Sequence, residues 1–180
     1  MRWSFRWSDR SPPEGLLRRL SMADGPALVE HFLRLDAPSR SERFGMSASD
    51  PFLRAYASRC LEFDEAVFGF QVDGQIRGAG ELRSLGALPE AGDEMLMEAA
   101  FSVEPAWRGK GIGGRLMASV VITARGCGAN AIYLACLQHN STMQGLARKF
   151  DAQIKFESAP LRLPQDQDAQ QRYATAIVAL

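Results

Sequence analysis

VEPAWRGKGIGGRLM, residues 103–117, is the stretch from which the rest of the chain is read. Before it, Glu94 to Val103 has the apolar density of a strand; after it, Gly111 to Arg125 has helical character and ends at Gly126 and Gly128. A short loop joins the two, built on Gly109, Gly111, Gly113 and Gly114. Glycine suits such a loop because a phosphate reaches backbone N–H groups only where no Cβ blocks the approach. The helix start adds unpaired N–H donors and a partial positive charge, worth about 0.3–1 kcal/mol for a nearby anion. Arg108, Lys110 and Arg115 add to that field.

The charge pattern agrees. From Pro105 to Phe150 there is no Asp or Glu, while Arg108, Lys110, Arg115, Arg125, Arg148 and Lys149 all fall inside. The whole chain balances 21 Lys and Arg against 21 Asp and Glu, so this is a local basic site in a neutral protein. Neutrality argues against general nucleic-acid binding, which leaves a basic excess.

Three phosphate-binding patterns compete for the loop. A P-loop needs GxxxxGK followed by Ser or Thr; here Lys110 precedes the last glycines and no such hydroxyl follows. The dinucleotide pattern GxGxxG is matched by Gly109, Gly111 and Gly114. That fold wants an acid at the end of the next strand for the ribose, and Leu134 to Gln138 offers none. Arg108-Gly-Lys-Gly-Ile-Gly113 fits the third pattern, Arg/Gln-x-x-Gly-x-Gly/Ala.

Outward from the loop the chain alternates between helix and strand signals. Leu16 to Leu20 reads as a short strand, and Asp24 caps a helix through Leu35. Asp36 to Asp50, rich in Ser, Arg and Pro, reads as a long loop before Ser49-Asp50-Pro51 starts a helix to about Cys60. Ala66 to Val72, the turn Asp73-Gly74, and Gln75 to Leu82 form a hairpin, followed by a Gly/Pro-rich connection through Gly92. Ala131 to Leu137 is a compact apolar strand, and Asn140 or Ser141 caps a helix to about Phe150. Ile154 to Phe156 and Tyr173 to Leu180 are closing strands, joined by the polar segment Pro164 to Gln171. At 180 residues, with no repeat and no separating linker, the chain reads as one mixed α/β domain.

With the loop, its flanking strand and helix, the next strand and the QHNSTMQGLARKF segment (residues 138–150), the sequence resembles the GNAT superfamily of acyl-CoA-dependent N-acyltransferases. The resemblance spans roughly residues 66–150. It implies a mostly antiparallel, V-split β-sheet flanked by helices, with a cofactor-binding core at about 66–150 and acceptor-side helices at about 24–60. Acetyl-CoA would be the cosubstrate, with no metal. Phe101, Ser102 and Val103 would pair their backbones with pantetheine. Arg108, Gly109, Lys110, Gly111, Ile112, Gly113 and Gly114 would hold the pyrophosphate, and Asn140 would contact the coenzyme, cap its helix, or do both.

The implied reaction is direct attack of an amine on the thioester, which is helped by a general base. Glu98 is the expected base: a carboxylate inside an apolar strand is costly unless hydrated, paired or protonated, and by alternation it shares a face with Ala100 and Ser102. The plainer alternative is an ordinary exposed strand residue or a partner for an arginine, and Glu81 is a second candidate base. The family's frequent proton-donating tyrosine, seven residues after the asparagine, is replaced by Ala147. That departure keeps a noncatalytic acyl-CoA-binding module open as an alternative. Arg40 and Arg43 either recognise an anionic acceptor or pair with Glu42, Asp36 or Asp50, and Trp107 packs the start of the helix.

Further expectations come from the whole chain. Cys60, Cys127 and Cys136 form no CxxC pair, and His31 and His139 have no partner at metal-ligand spacing. The start of the chain lacks the apolar stretch of a signal peptide, and no run is long enough to span a bilayer, so a cytoplasmic protein with no membrane partner is expected. The acceptor is a small-molecule or peptide amine, and the apolar final strand pairs within the sheet or across a homodimer.

Overall fold

The computed structural model describes residues 13–87, 95–157 and 173–180. The strands are β1 (Leu16–Arg19), β2 (Ala66–Val72), β3 (Gln75–Ala87), β4 (Met95–Val103), β5 (Ala131–Leu137), β6 (Gln153–Glu157) and β7 (Tyr173–Ala179). The helices are α1 (Gly25–Leu33), α2 (Ala37–Phe44), α3 (Asp50–Phe63), α4 (Ile112–Gly126) and α5 (Ser141–Arg148). The strands form one sheet in the order β1-β2-β3-β4-β5-β7-β6. β7 inserts between β5 and β6 of its own chain, so the final strand pairs within the sheet. The polar segment expected at 164–171 and residues 88–92 of the Gly/Pro-rich connection lie outside the described residues.

Among the described residues every pairing is antiparallel except one. β4 and β5 run parallel and meet at three positions: Leu96 with Ala131, Met97 with Ile132 and Glu98 with Tyr133. Asn130 fastens the start of this contact, its amide donating to the Met95 carbonyl and its side-chain carbonyl accepting the Met95 amide, both at 2.9 Å. Beyond Glu98 the two strands separate, each keeping its outer neighbour. The sheet is therefore split into a V.

Two cores lie on the two faces. Leu82, Met97 and Ala99 pack with Ile112, Leu116 and Val120 of α4 on one side. Val67, Ile76 and Ala79 pack with Leu28, Phe32 and Leu53 of α1 and α3 on the other. Gly78 lets α4 come close, since a Cβ there would lie 2.9 Å from Ile112 Cγ2. Most elements fall where the sequence puts them, β5 with identical bounds. β3 runs past Leu82 to Ala87, pairing with Met95.

One expectation is corrected. Residues 36–50 are not a long loop: they hold α2. Asp36 caps it by accepting the Ser39 amide at 2.9 Å, Pro38 stands in its first turn, and Gly45 ends it at φ 68°. The helix escapes a periodicity reading because its polar residues are used for local wiring rather than facing water. Arg40 donates to the carbonyls of Leu33 and Leu35, closing the end of α1, and pairs with Asp50 at 2.7 Å. Only Phe44 and Ser39 of α2 are buried.

Candidate active site

The opening between β4 and β5 continues into a cavity of about 390 Å³. Its floor is Ala99 to Val103 of β4 together with Ala135 and Cys136 of β5. The loop and first turn of α4 close one end, the first turn of α5 lies beside them, and Leu35 with Ser39, Glu42 and Arg43 of α2 forms the opposite wall. Burial pushes the Cys136 thiol up to about 11, so it lines the cavity as a neutral group.

The backbone of β4 divides by alternation. The Glu104 amide donates to the Arg77 carbonyl at 3.0 Å, and in an antiparallel pair bonding residues alternate. The backbone groups of Ala100 and Ser102 therefore turn to β3, while those of Phe101 and Val103, past the last β4–β5 pairing at Glu98, turn to the gap. Arg108 Nε reaches the Val103 carbonyl there at 3.1 Å.

At the loop, Gly109 and Gly111 sit at φ 73° and 80°, a left-handed conformation that side chains rarely adopt. They swing the chain into α4 with Gly111 at the N-cap, where no side chain caps the helix. The first helical bond runs from the Arg115 amide to the Gly111 carbonyl (3.2 Å), which leaves the amides of Ile112, Gly113 and Gly114 without helical partners. Apart from its chain neighbours and the backbone of α4 itself, a Cβ built on Gly109 or Gly114 would meet no atom of the described residues within 4 Å. The start of α4, from Gly111 to Gly114, lines the cavity with these amides unpaired within the helix.

Phe101, Ser102, Val103, Arg108, Gly109, Gly111, Ile112, Gly113, Gly114 and Asn140 all line this cavity. Lys110 and Glu98 are not among its lining residues. The Lys110 ammonium lies over the Trp107 ring, 4.5 Å from its centre. Arg108 spans the mouth, donating to Ser39 Oγ at 2.8 Å and approaching Glu42 at 3.5 Å. Asn140 caps α5 by accepting the Met143 amide at 2.9 Å while it lines the cavity. Glu98 stands at the closed end of the split, 3.7 Å from Arg83. Ala147 is fully buried in the core.

A family model for the acetyltransferase (GNAT) family matches residues 29–152. The chain belongs to that family. Its fold is that of solved GNAT structures. The GNAT domain of S. lividans PAT is 17% identical, with 92% of this chain and 90% of that one covered and a TM-score of 0.73. For yncA from Salmonella typhimurium, solved with acetyl-CoA, the figures are 14%, 93%, 94% and 0.68. For the Drosophila melanogaster polyamine N-acetyltransferase that forms N-acetylagmatine they are 16%, 93%, 100% and 0.64. No curated protein sequence matches significantly.

Against this GNAT frame, two side-chain networks behind β4 stand out that the sequence does not reveal. On β3, Glu81 is 1% exposed and is met by Arg43 at 2.7 Å and by the Tyr56 hydroxyl at 2.6 Å. Arg43 therefore pairs with a carboxylate outside the set expected for it. At the end of β4, His31 Nε2 lies 2.8 Å from Ser102 Oγ, and His31 Nδ1 lies 3.2 Å from Glu104 Oε1. Arg34 and Arg77 also donate to Glu104, at 2.9 and 3.0 Å. Burial works against ionisation of Glu104, but the hydrogen bonds from His31, Arg34 and Arg77 outweigh it and hold its carboxyl down at about 2. His31 is separated from these partners by 71 and 73 residues, beyond any spacing rule.

Proposed function

We propose that the protein is an N-acetyltransferase that moves an acetyl or other short acyl group from acetyl-CoA to an amine by direct attack on the thioester. The observation that carries this reading is the continuity of the β4–β5 gap with the uncapped start of α4. An extended pantetheine arm, itself a chain of amides, suits the free backbone groups of Phe101 and Val103, and the pyrophosphate suits the donors of Gly109 to Gly114. Ser102, with its backbone turned to β3, would contribute its side chain instead. Asn140 would meet the coenzyme from α5, and Lys110 would act through its charge. In this reading residues 1–180 work as one domain, with 66–150 holding the cosubstrate and 24–60 shaping the acceptor side.

The acceptor would be a small-molecule or peptide amine approaching past Glu42 of α2, whose carboxylate attracts a cation. Glu98, the base expected from the sequence, is paired with Arg83 and does not line the cavity. The burial of Ala147 where many relatives use a tyrosine favours one other reading, a module that binds acyl-CoA without turning it over.

Titration calorimetry with acetyl-CoA tests the cosubstrate, with Gly114→Asp as the informative variant. A side chain fits there without clash, and an acid in the first turn favours the helix, so the fold survives while the anion site is repelled. Micromolar binding that weakens at least about tenfold in the variant, with no binding of NAD, is expected. Absence of acetyl-CoA binding, or binding of NAD in its place, would remove the assignment.

A further inference from the structure

We propose that Ser102, His31 and Glu104 form a proton relay that takes the proton of the attacking amine, with Ser102 as the catalytic residue and His31 and Glu104 as positioning residues behind it. This rests on the N-acetyltransferase reading and answers what that reading leaves open, since Glu98 is held by Arg83 and Ala147 has no acidic proton.

The order of the contacts is that of an activated hydroxyl: Ser102 Oγ to His31 Nε2 at 2.8 Å, then His31 Nδ1 to Glu104 Oε1 at 3.2 Å. Arg34 and Arg77 fix the far end by bonding both oxygens of Glu104. These contacts dictate where the hydrogens sit. An ionised Glu104 only accepts, so His31 Nδ1 carries the hydrogen. His31 is fully buried, which disfavours its charged form, so Nε2 is bare and accepts from the Ser102 hydroxyl. The Ser102 oxygen is thereby left with lone pairs to accept a further proton. Ser102 lines the cavity, and because its amide and carbonyl turn to β3, the hydroxyl is the polar group it can offer there.

The step balances without any further reactant. The amine nitrogen bonds to the thioester carbon, and its proton passes to Ser102 Oγ as the serine's own proton passes to His31 Nε2. The imidazolium so formed lies against the Glu104 carboxylate. The C–S bond breaks, and the departing thiolate takes a proton back along the same path, restoring neutral His31. One amine and one thioester give one amide and one thiol.

The test uses the full chain saturated with acetyl-CoA and hydroxylamine as a small acceptor that needs no tailored pocket, with CoA thiol release as the rate. Ser102→Ala and His31→Gln should each slow release by roughly 10²-fold, while Ser102→Thr, which keeps the hydroxyl, stays within a few-fold of the parent. Acetyl-CoA affinity by calorimetry should be unchanged in His31→Gln, whose side chain does not line the cavity. Independently of turnover, nitrogen NMR of ¹⁵N-histidine-labelled protein should show His31 protonated at Nδ1 and bare at Nε2, with the Nε2 signal moving in Ser102→Ala. The relay is overturned by parent-like rates in Ser102→Ala and His31→Gln, by an Nε2-protonated His31, or by an acetyl group found on Ser102 by intact mass. A parent no faster than buffer despite bound acetyl-CoA also overturns it, as does a loss of rate in Glu98→Gln but not Ser102→Ala. Failure to bind acetyl-CoA at all is a different result, and it removes the parent reading instead.

Discussion

Asp64, just past the end of α3, is a carboxyl in an awkward place. Its side chain is 6% exposed, one oxygen lies 3.7 Å from Arg83 Nε, and the other has no hydrogen-bond partner. Glu81 likewise carries one buried oxygen without a partner. Cys60, Asp64 and Glu81 place ligand atoms within 4.8 Å of one another, but Arg43 and Arg83 already bring positive charge to the cluster. Burial, then the charge of Glu81, pushes Asp64 up to about 7. The folded state thus holds this proton more tightly than the unfolded chain does, where the ordinary value is 3.8. The cost of ionisation is absent below about pH 4, grows up to about pH 7 and is constant above it. Asp64→Asn should remove that slope, gaining on the order of 2 kcal/mol over the parent at about pH 8 and little at about pH 4, after discounting for solvent around the half-exposed Arg83. Urea midpoints at the two pH values measure it, and equal gains at both would refute it.

At the level of elements, the split sheet depends on short pieces whose ends are well capped. α2 is eight residues long, too short to stand alone in water, and it forms one wall of the cavity. Asp36→Ala should therefore cost about 1 kcal/mol of stability, read from denaturant midpoints, and loosen that wall. No loss would mean that Arg40 and its carbonyl contacts hold the segment by themselves. The cues for this helix, Asp36, Pro38 and Gly45, were all present in the sequence, but its wiring through Arg40 and Arg43 hid any apolar period. β5 was readable because an apolar run between two turns has one interpretation, and the loop because glycines at Gly109 and Gly111 have few other uses. The expected coenzyme contacts followed from the family resemblance that this loop carries. The groups behind β4 did not: His31, Glu81 and Glu104 acquire their partners only when α1, α2 and α3 close over the sheet. Alternation also assigns backbone groups by register, which separates Ser102 from Phe101 and Val103 in a way that composition cannot.

Over the whole molecule, two cores grip the sheet from opposite faces while its centre stays open. Among the described residues no helix is long and apolar enough to cross a membrane. Acetyl-CoA, in the reading proposed above, would bridge the two halves, so its effect should be felt through the structure as well as at the site. Amides of Phe101 and Val103 should exchange faster than those of Ala100 and Ser102 in the free protein and slow on binding. The melting midpoint should rise as saturation adds about 2.7 kcal/mol at a hundredfold excess over Kd. Hydrogen exchange with and without acetyl-CoA measures the first; uniform slowing of all β4 amides would contradict the assignment of their directions.

The three-residue contact between β4 and β5 has a last consequence. An opening inside a sheet is equivalent to two raw edges that face each other, and raw edges recruit whatever extended polypeptide is at hand. The usual safeguards, a proline or a lysine along the strand, are missing from Ala99 to Val103. In a concentrated solution stripped of its small molecules, the stretch Ala99-Ala-Phe-Ser-Val103 is the place where one copy would invade another. Its shelf life should then depend on whether the opening is kept filled.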